Sequence, residues 1–133
     1  MFINPRLYIF DGLTPDEVNY FALMCDPVDF APGAVILREG DESDSRAYFL
    51  EEGSVEVLKS GTQIATLGVG DLFGEIALIT NDPRSATVRA LTKVQALSLH
   101  RDDFLMLAKK SGKFPEIQKE IFRRIQANFA RGE

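Results

Sequence analysis

The regular spacing of turn signals between residues 34 and 99 constrains this chain more than any other feature. Short apolar segments recur there: Val35-Ile36-Leu37, Tyr48-Phe49-Leu50, then residues 55–58, 64–67, 87–90 and 94–99. Between them stand Pro32-Gly33, Gly40-Asp41, Glu52-Gly53, Ser60-Gly61, residues 68–71 and Asn81-Asp82-Pro83. Val55-Glu56-Val57 and residues 94–99 alternate strictly between apolar and polar or small positions. Many short segments of period two, with turns roughly every ten residues, predict antiparallel strands closing into a roll or sandwich.

Helical patterns flank this region. Thr14-Pro15-Asp16-Glu17 is a helix start, with a hydroxyl cap, a proline in the first turn and acids against the helix dipole. Val18, Phe21, Ala22 and Cys25 then lie on one buried face, and Pro27 is expected to end the helix. Beyond the strands, Asp102 is the expected cap of a helix over 103–110, and Ser111-Gly112-Lys113 breaks it. Pro115 opens a last helix whose Ile117, Ile121, Ile125 and Phe129 step by four. The expected architecture is a single domain over 1–133. It comprises a helical segment at 1–27, a β-roll at 30–100 and two helices within 102–131.

Composition narrows the function. The chain has 133 residues, 45% hydrophobic and 26% charged, which excludes disorder, collagen and coiled coil. Its longest purely hydrophobic run is six residues, 20–25, against about 20 for a membrane span. No apolar segment of the secretory type follows Arg6, and a cytoplasmic location is expected. A single cysteine, Cys25, cannot make an internal disulfide or a cysteine-rich metal site, and the single histidine, His100, argues against most His-based metal sites. Charge is uneven: residues 1–83 hold 4 Lys/Arg and 15 Asp/Glu, whereas residues 84–133 hold 11 and 5. The basic residues are spread over a strand and an amphipathic helix, unlike a nucleic-acid face with interleaved aromatics.

One stretch departs from strand and turn grammar: residues 70–79, followed by Pro83-Arg84-Ser85-Ala86-Thr87-Val88. Its glycines at 68, 70 and 74 lack the spacing of G-x-G-x-x-G, and no βαβ unit follows. Gly74-Glu75-Ile76-Ala77-Leu78 instead reads as a helical turn opening after a glycine. Such a turn offers free amides and lets an anion approach the main chain closely. Arg84, at the expected head of a strand, carries a planar guanidinium suited to phosphate oxygens. Ser85 can donate a hydroxyl hydrogen bond to the same group. The Glu75 carboxylate repels a phosphate but can accept from a sugar hydroxyl. Together these residues describe a site for a phosphate attached to ribose.

Phe73-Gly74-Glu75-Ile76-Ala77-Leu78, with the motif from Pro83 to Val88, resembles the phosphate-binding cassette of cyclic nucleotide-binding domains. The similarity extends from about Tyr8 to Arg131, through Asp11-Gly12-Leu13, Pro32-Gly33, Glu39-Gly40-Asp41 and Glu52-Gly53-Ser54-Val55. It implies an eight-stranded, jelly-roll-like β-roll with flanking helices that binds cAMP or cGMP and needs no other cofactor. In that frame Arg84 meets the cyclic phosphate and Glu75 the ribose 2′-hydroxyl. The amides of Ile76 and Ala77 cradle phosphate oxygens, and Gly74 gives clearance near the ribose. Ser85 serves the phosphate or a purine edge. Thr87 joins the ligand set, with Val57 and Leu72 as apolar contacts. The last helix acts as a lid, with Asn128, Phe129 or Arg131 supplying the cap, and Gly112 is a candidate hinge.

Blander readings exist for each residue. Arg84 alone would be a turn arginine, Glu75 a first-turn acid, Asp102-Asp103 capping acids, Cys25 a small core residue and His100 a solvated one. No nucleophile has a convincing base and orienter, so catalysis is not expected. The expected role is a regulatory module signalling to an effector through its C-terminal helices, with no nucleic acid bound by this domain alone. The alternative is a degenerate relative serving as an interaction scaffold.

Overall fold

A computed structural model describes residues 13–130. Helix α1 (Pro15–Met24) precedes the strands β1 (Asp26–Phe30), β2 (Val35–Leu37), β3 (Arg46–Glu52), β4 (Val55–Lys59), β5 (Thr62–Leu67) and β6 (Leu72–Phe73). A 3-10 helix (Glu75–Leu78) leads to β7 (Thr87–Ala90), β8 (Val94–His100), α2 (Arg101–Ser111) and α3 (Phe114–Ala130). The eight strands form two antiparallel four-stranded sheets, ordered β1-β8-β3-β6 and β2-β7-β4-β5. The fold is mainly β, an eight-stranded roll with helices against one sheet.

The sequence rules explain most boundaries. The Thr14 hydroxyl accepts from the Glu17 amide at 3.2 Å while the Glu17 carboxylate accepts from the Thr14 amide at 2.9 Å, a reciprocal cap. Three expectations shift. First, α1 ends at Met24, not at Pro27, and Pro27 lies inside β1. β1 is an edge strand, where a missing N–H costs no ladder bond, so the roll begins at residue 26 rather than 30. Second, α2 opens at Arg101 and is capped by His100, whose Nδ1 accepts from the Asp102 amide at 3.1 Å. Asp102 and Asp103 are its first-turn acids, and His100 is half-buried rather than fully solvated. Third, α3 begins at Phe114, one residue before Pro115. Gly112 terminates α2 in the left-handed region, φ +76°, as its place in the breaker implied.

Strict alternation along β3 and β8 builds two cores. Ala47 and Phe49 of β3 and Leu97 and Leu99 of β8 face the helices, meeting Val18, Phe21, Phe104, Ala108 and Ile117. Tyr48, Leu50, Val94 and Ala96 face the other way, meeting Val55, Phe73, Val88 and Ala90 between the sheets. Phe21 and Phe104 lie 6.0 Å apart by ring centroid, and burying a ring of this kind stabilises by about 1.5–3 kcal/mol. None of the described helices is long and apolar enough to cross a membrane.

Candidate functional site

The site is built around a buried cation. Arg84 is only 8% exposed and precedes β7, in the loop rather than at the strand's head. Its main chain is clamped to the β2–β3 loop, the Arg84 amide donating to Asp41 O at 2.9 Å and the Gly40 amide to Arg84 O at 2.8 Å. The guanidinium reaches across to the other sheet. Nη2 donates to Asp44 Oδ1 at 2.5 Å and to the Arg46 carbonyl at 2.9 Å, and Nη1 donates to the Gly74 carbonyl at 3.3 Å. Of its five N–H groups, Nε–H and one on Nη1 have no acceptor among the described residues. Asp44 is itself 53% exposed, so the charge pair is partly solvated.

Gly74 makes this approach possible. Its φ of +75° lies in the left-handed region, and a Cβ there would sit 3.1 Å from Arg84 Nη1 and 3.3 Å from the Arg46 carbonyl. Only hydrogen fits at that corner without displacing the guanidinium. The 3-10 helix starts directly after it. The Ala77 amide donates back to the Gly74 carbonyl at 3.2 Å, whereas the Ile76 amide has no acceptor among the described residues. At the far end of this helix, Arg101 Nε donates to Ala77 O at 2.9 Å and Nη2 to Thr80 O at 2.7 Å. The first residue of α2 thereby holds the carbonyl end of the 3-10 helix.

Arg84 opens on a cavity of about 250 Å³. Val57, Ile64, Ala65 and Leu67 of the β4–β5 hairpin give it an apolar lining with Leu72 and Val88, and Ser43, Glu75, Asp82, Arg84 and Ser85 are its polar lining residues. A largely apolar lining that includes a buried cation suits a ring system carrying one anionic group. No cluster of metal-ligating side chains occurs among the described residues.

The sequence profile of the cyclic nucleotide-binding domain matches residues 27–111. The chain belongs to this family. A cyclic nucleotide-gated potassium channel of Mesorhizobium japonicum is 52% identical over 92 residues, 69% of this chain and 24% of the channel. A cAMP-dependent protein kinase regulatory subunit of Emericella nidulans is 38% identical over 101 residues, 74% of this chain and 24% of that protein. The chain thus spans about a quarter of the length of these curated relatives. Among solved structures, the catabolite activator protein of Thermus thermophilus superimposes with a TM-score of 0.80 at 27% identity, covering 93% of this chain and 61% of that one.

In this cyclic nucleotide-binding domain, eight of the expected ligand residues line one cavity: Val57, Leu72, Gly74, Glu75, Ile76, Ala77, Arg84 and Ser85. Glu75 is half-buried and Ser85 exposed at the rim. Two details differ from expectation. The Ala77 amide is engaged within the 3-10 turn, which leaves Ile76 as the amide available to an anion. Thr87 is not among the lining residues: its Oγ1 accepts from the Glu39 amide at 3.0 Å, while its neighbour Val88 lines the cavity. The side chains of Asn128 and Phe129, and Arg131 entirely, lie outside the described residues, as do Tyr8 and Asp11-Gly12. Sequence reasoning missed Asp44, the polar partner of Arg84, and Ile64 and Ala65 in the lining. The apolar face of an exposed edge strand was the available signal for Ile64; nothing local marks Asp44.

Proposed function

We propose that this domain binds a cyclic nucleoside monophosphate, cAMP or cGMP, and reports its presence through α2 and α3. The observation that carries the reading is Arg84, a buried guanidinium in the lining of a largely apolar cavity, with two N–H groups that have no acceptor among the described residues. A buried donor without a partner is costly, and a phosphate oxygen supplies the acceptor in charge-assisted form. The Ile76 amide adds a neutral donor at a helix start. Glu75 accepts from the ribose hydroxyl, Ser85 meets the phosphate or base edge, and Val57 and Leu72 cover the apolar faces.

Signalling requires that the nucleotide bind one arrangement of the helices better than another. Arg101 gives that requirement a route, because it ties α2 to the 3-10 helix whose opposite end faces the anion. Gly112, already in the left-handed region between α2 and α3, is where the helices can reorient. Calorimetric titration with cAMP, cGMP and 5′-AMP tests the reading. Saturable binding of at least one cyclic nucleotide, with weaker binding of 5′-AMP, is expected. Absence of binding by either cyclic nucleotide refutes it and favours the scaffold alternative.

A further inference from the structure

The cage around Arg84 has a second layer that the ligand reading does not use. Asp44 Oδ1 faces the guanidinium, while Asp44 Oδ2 accepts a hydrogen bond from the Tyr48 hydroxyl at 3.3 Å. Tyr48 is buried between the sheets, 6% exposed, and its ring stacks on Phe73 with centroids 5.2 Å apart and planes 14° from parallel. Phe73 is covalently joined to Gly74, whose carbonyl is another acceptor for Arg84. The third acceptor, the Arg46 carbonyl, belongs to the same strand as Tyr48. One side chain therefore braces two sides of the cage, by hydroxyl on the carboxylate and by ring on the residue before the glycine.

We infer that Tyr48 is a positioning residue for the anion site, acting on Arg84 through Asp44. An exposed aspartate on a loop samples several rotamers, and losing that freedom costs free energy whenever it must hold a guanidinium in one place. Tyr48 pre-orders it. A rigid, buried ring with a single hydroxyl at the right height fixes Oδ2, which leaves Oδ1 aimed at Nη2. Burial, followed by the Asp44 charge and hydrogen bond, raises the Tyr48 pKa above its ordinary value, so the hydroxyl remains a donor at neutral pH. The role deepens the cyclic-nucleotide reading and rests on it for its effect on affinity, but the ordering of Arg84 is a property of the free domain.

The test is a double-mutant cycle with Tyr48→Phe and Asp44→Ala, read by cAMP calorimetry and by the solvent exchange of the Arg84 Nε proton in the free protein. Tyr48→Phe keeps the ring and the stack, and its unfolding midpoint is expected to stay near wild type. The variant should bind cAMP roughly three- to tenfold more weakly, the range of one hydrogen bond. Its Arg84 Nε proton should exchange at least about threefold faster. In the Asp44→Ala background, the added Tyr48→Phe change should alter affinity less than about twofold, because the relay is already cut. Wild-type affinity and exchange in Tyr48→Phe overturn the inference, as does an equal loss with and without Asp44. If the wild-type domain binds no cyclic nucleotide, the functional reading fails, and the exchange measurement alone still decides the role of Tyr48.

Discussion

Replacing Gly74 with alanine separates a backbone cost from a cost to the site. Glycine at φ +75° gives way to a residue for which that region is disfavoured by about 1–2 kcal/mol. The new methyl also meets Arg84 Nη1 at 3.1 Å, Arg46 O at 3.3 Å and Leu37 Cδ1 at 3.3 Å. Main-chain Arg46 is fixed by strand pairing, so the neighbour that yields is the end of the Arg84 side chain. A shift of a few tenths of an ångström lengthens a Nη1–Gly74 bond that is already 3.3 Å. The variant should lose about 1–3 kcal/mol of stability in urea unfolding and bind cAMP at least about tenfold more weakly. Gly33→Ala is the control. Gly33 also has positive φ, +83°, but a Cβ there meets nothing within 4 Å, so it incurs the backbone cost without touching the site. Gly33→Ala should be destabilised and bind normally. If Gly74→Ala matches it in both stability and affinity, the close approach to Arg84 has no functional weight and the reasoning is refuted.

Three further outcomes follow from the same geometry. Arg84→Ala should weaken cyclic-nucleotide binding by about 2–5 kcal/mol in calorimetry, and Arg84→Lys should recover little, because an ammonium cannot span Asp44, two carbonyls and a phosphate at once. Arg101→Gln should cost about 1–3 kcal/mol in urea unfolding and raise amide exchange around the 3-10 helix, where two carbonyls lose a charged donor; unchanged protection there would contradict the clamp. Cys25 is pushed up to about 12 from 9.0, by burial first and then by the nearby charges of Asp26, Asp103 and Glu51. Its folded pKa lies above the unfolded one, so this contribution is intact below pH 9 and is lost as pH rises toward 12. The loss is on the order of 4 kcal/mol, and Cys25→Ala should flatten the alkaline limb of the stability–pH curve.

The sequence was most legible where a local rule and the tertiary fold agreed. Thr14 and Glu17 announce a cap that needs no distant partner, and the alternation at 94–99 announces a strand, although the one buried face expected of it becomes two, Leu97 and Leu99 toward the helices and Val94 and Ala96 between the sheets. Pro27 misled because proline's effect depends on where the strand lies. The same missing N–H that would end a helix is harmless on the outer edge of a sheet, and edge position is a property of topology. Gly74, Glu75 and Arg84, which line one cavity, were legible as a group because their spacing along the chain carries chemistry. Asp44 was not, since it lies 40 residues from Arg84 and meets it only when two loops from different sheets converge. Thr87 belongs to the same motif, but its Oγ1 accepts from the Glu39 amide in the β2–β3 loop, a structural contact that the motif does not announce.

Strand β3 alternates between two interiors, Ala47 and Phe49 toward the helices, Tyr48 and Leu50 toward the space between the sheets. Sliding it by a single position would exchange the two sets and spoil both packings together, so its alignment is fixed from either side. The turn carrying Asp44 departs from the first residue of that immobilised ribbon. The corner around Arg84 thus inherits its accuracy from hydrophobic packing on both faces of the strand that leads away from it.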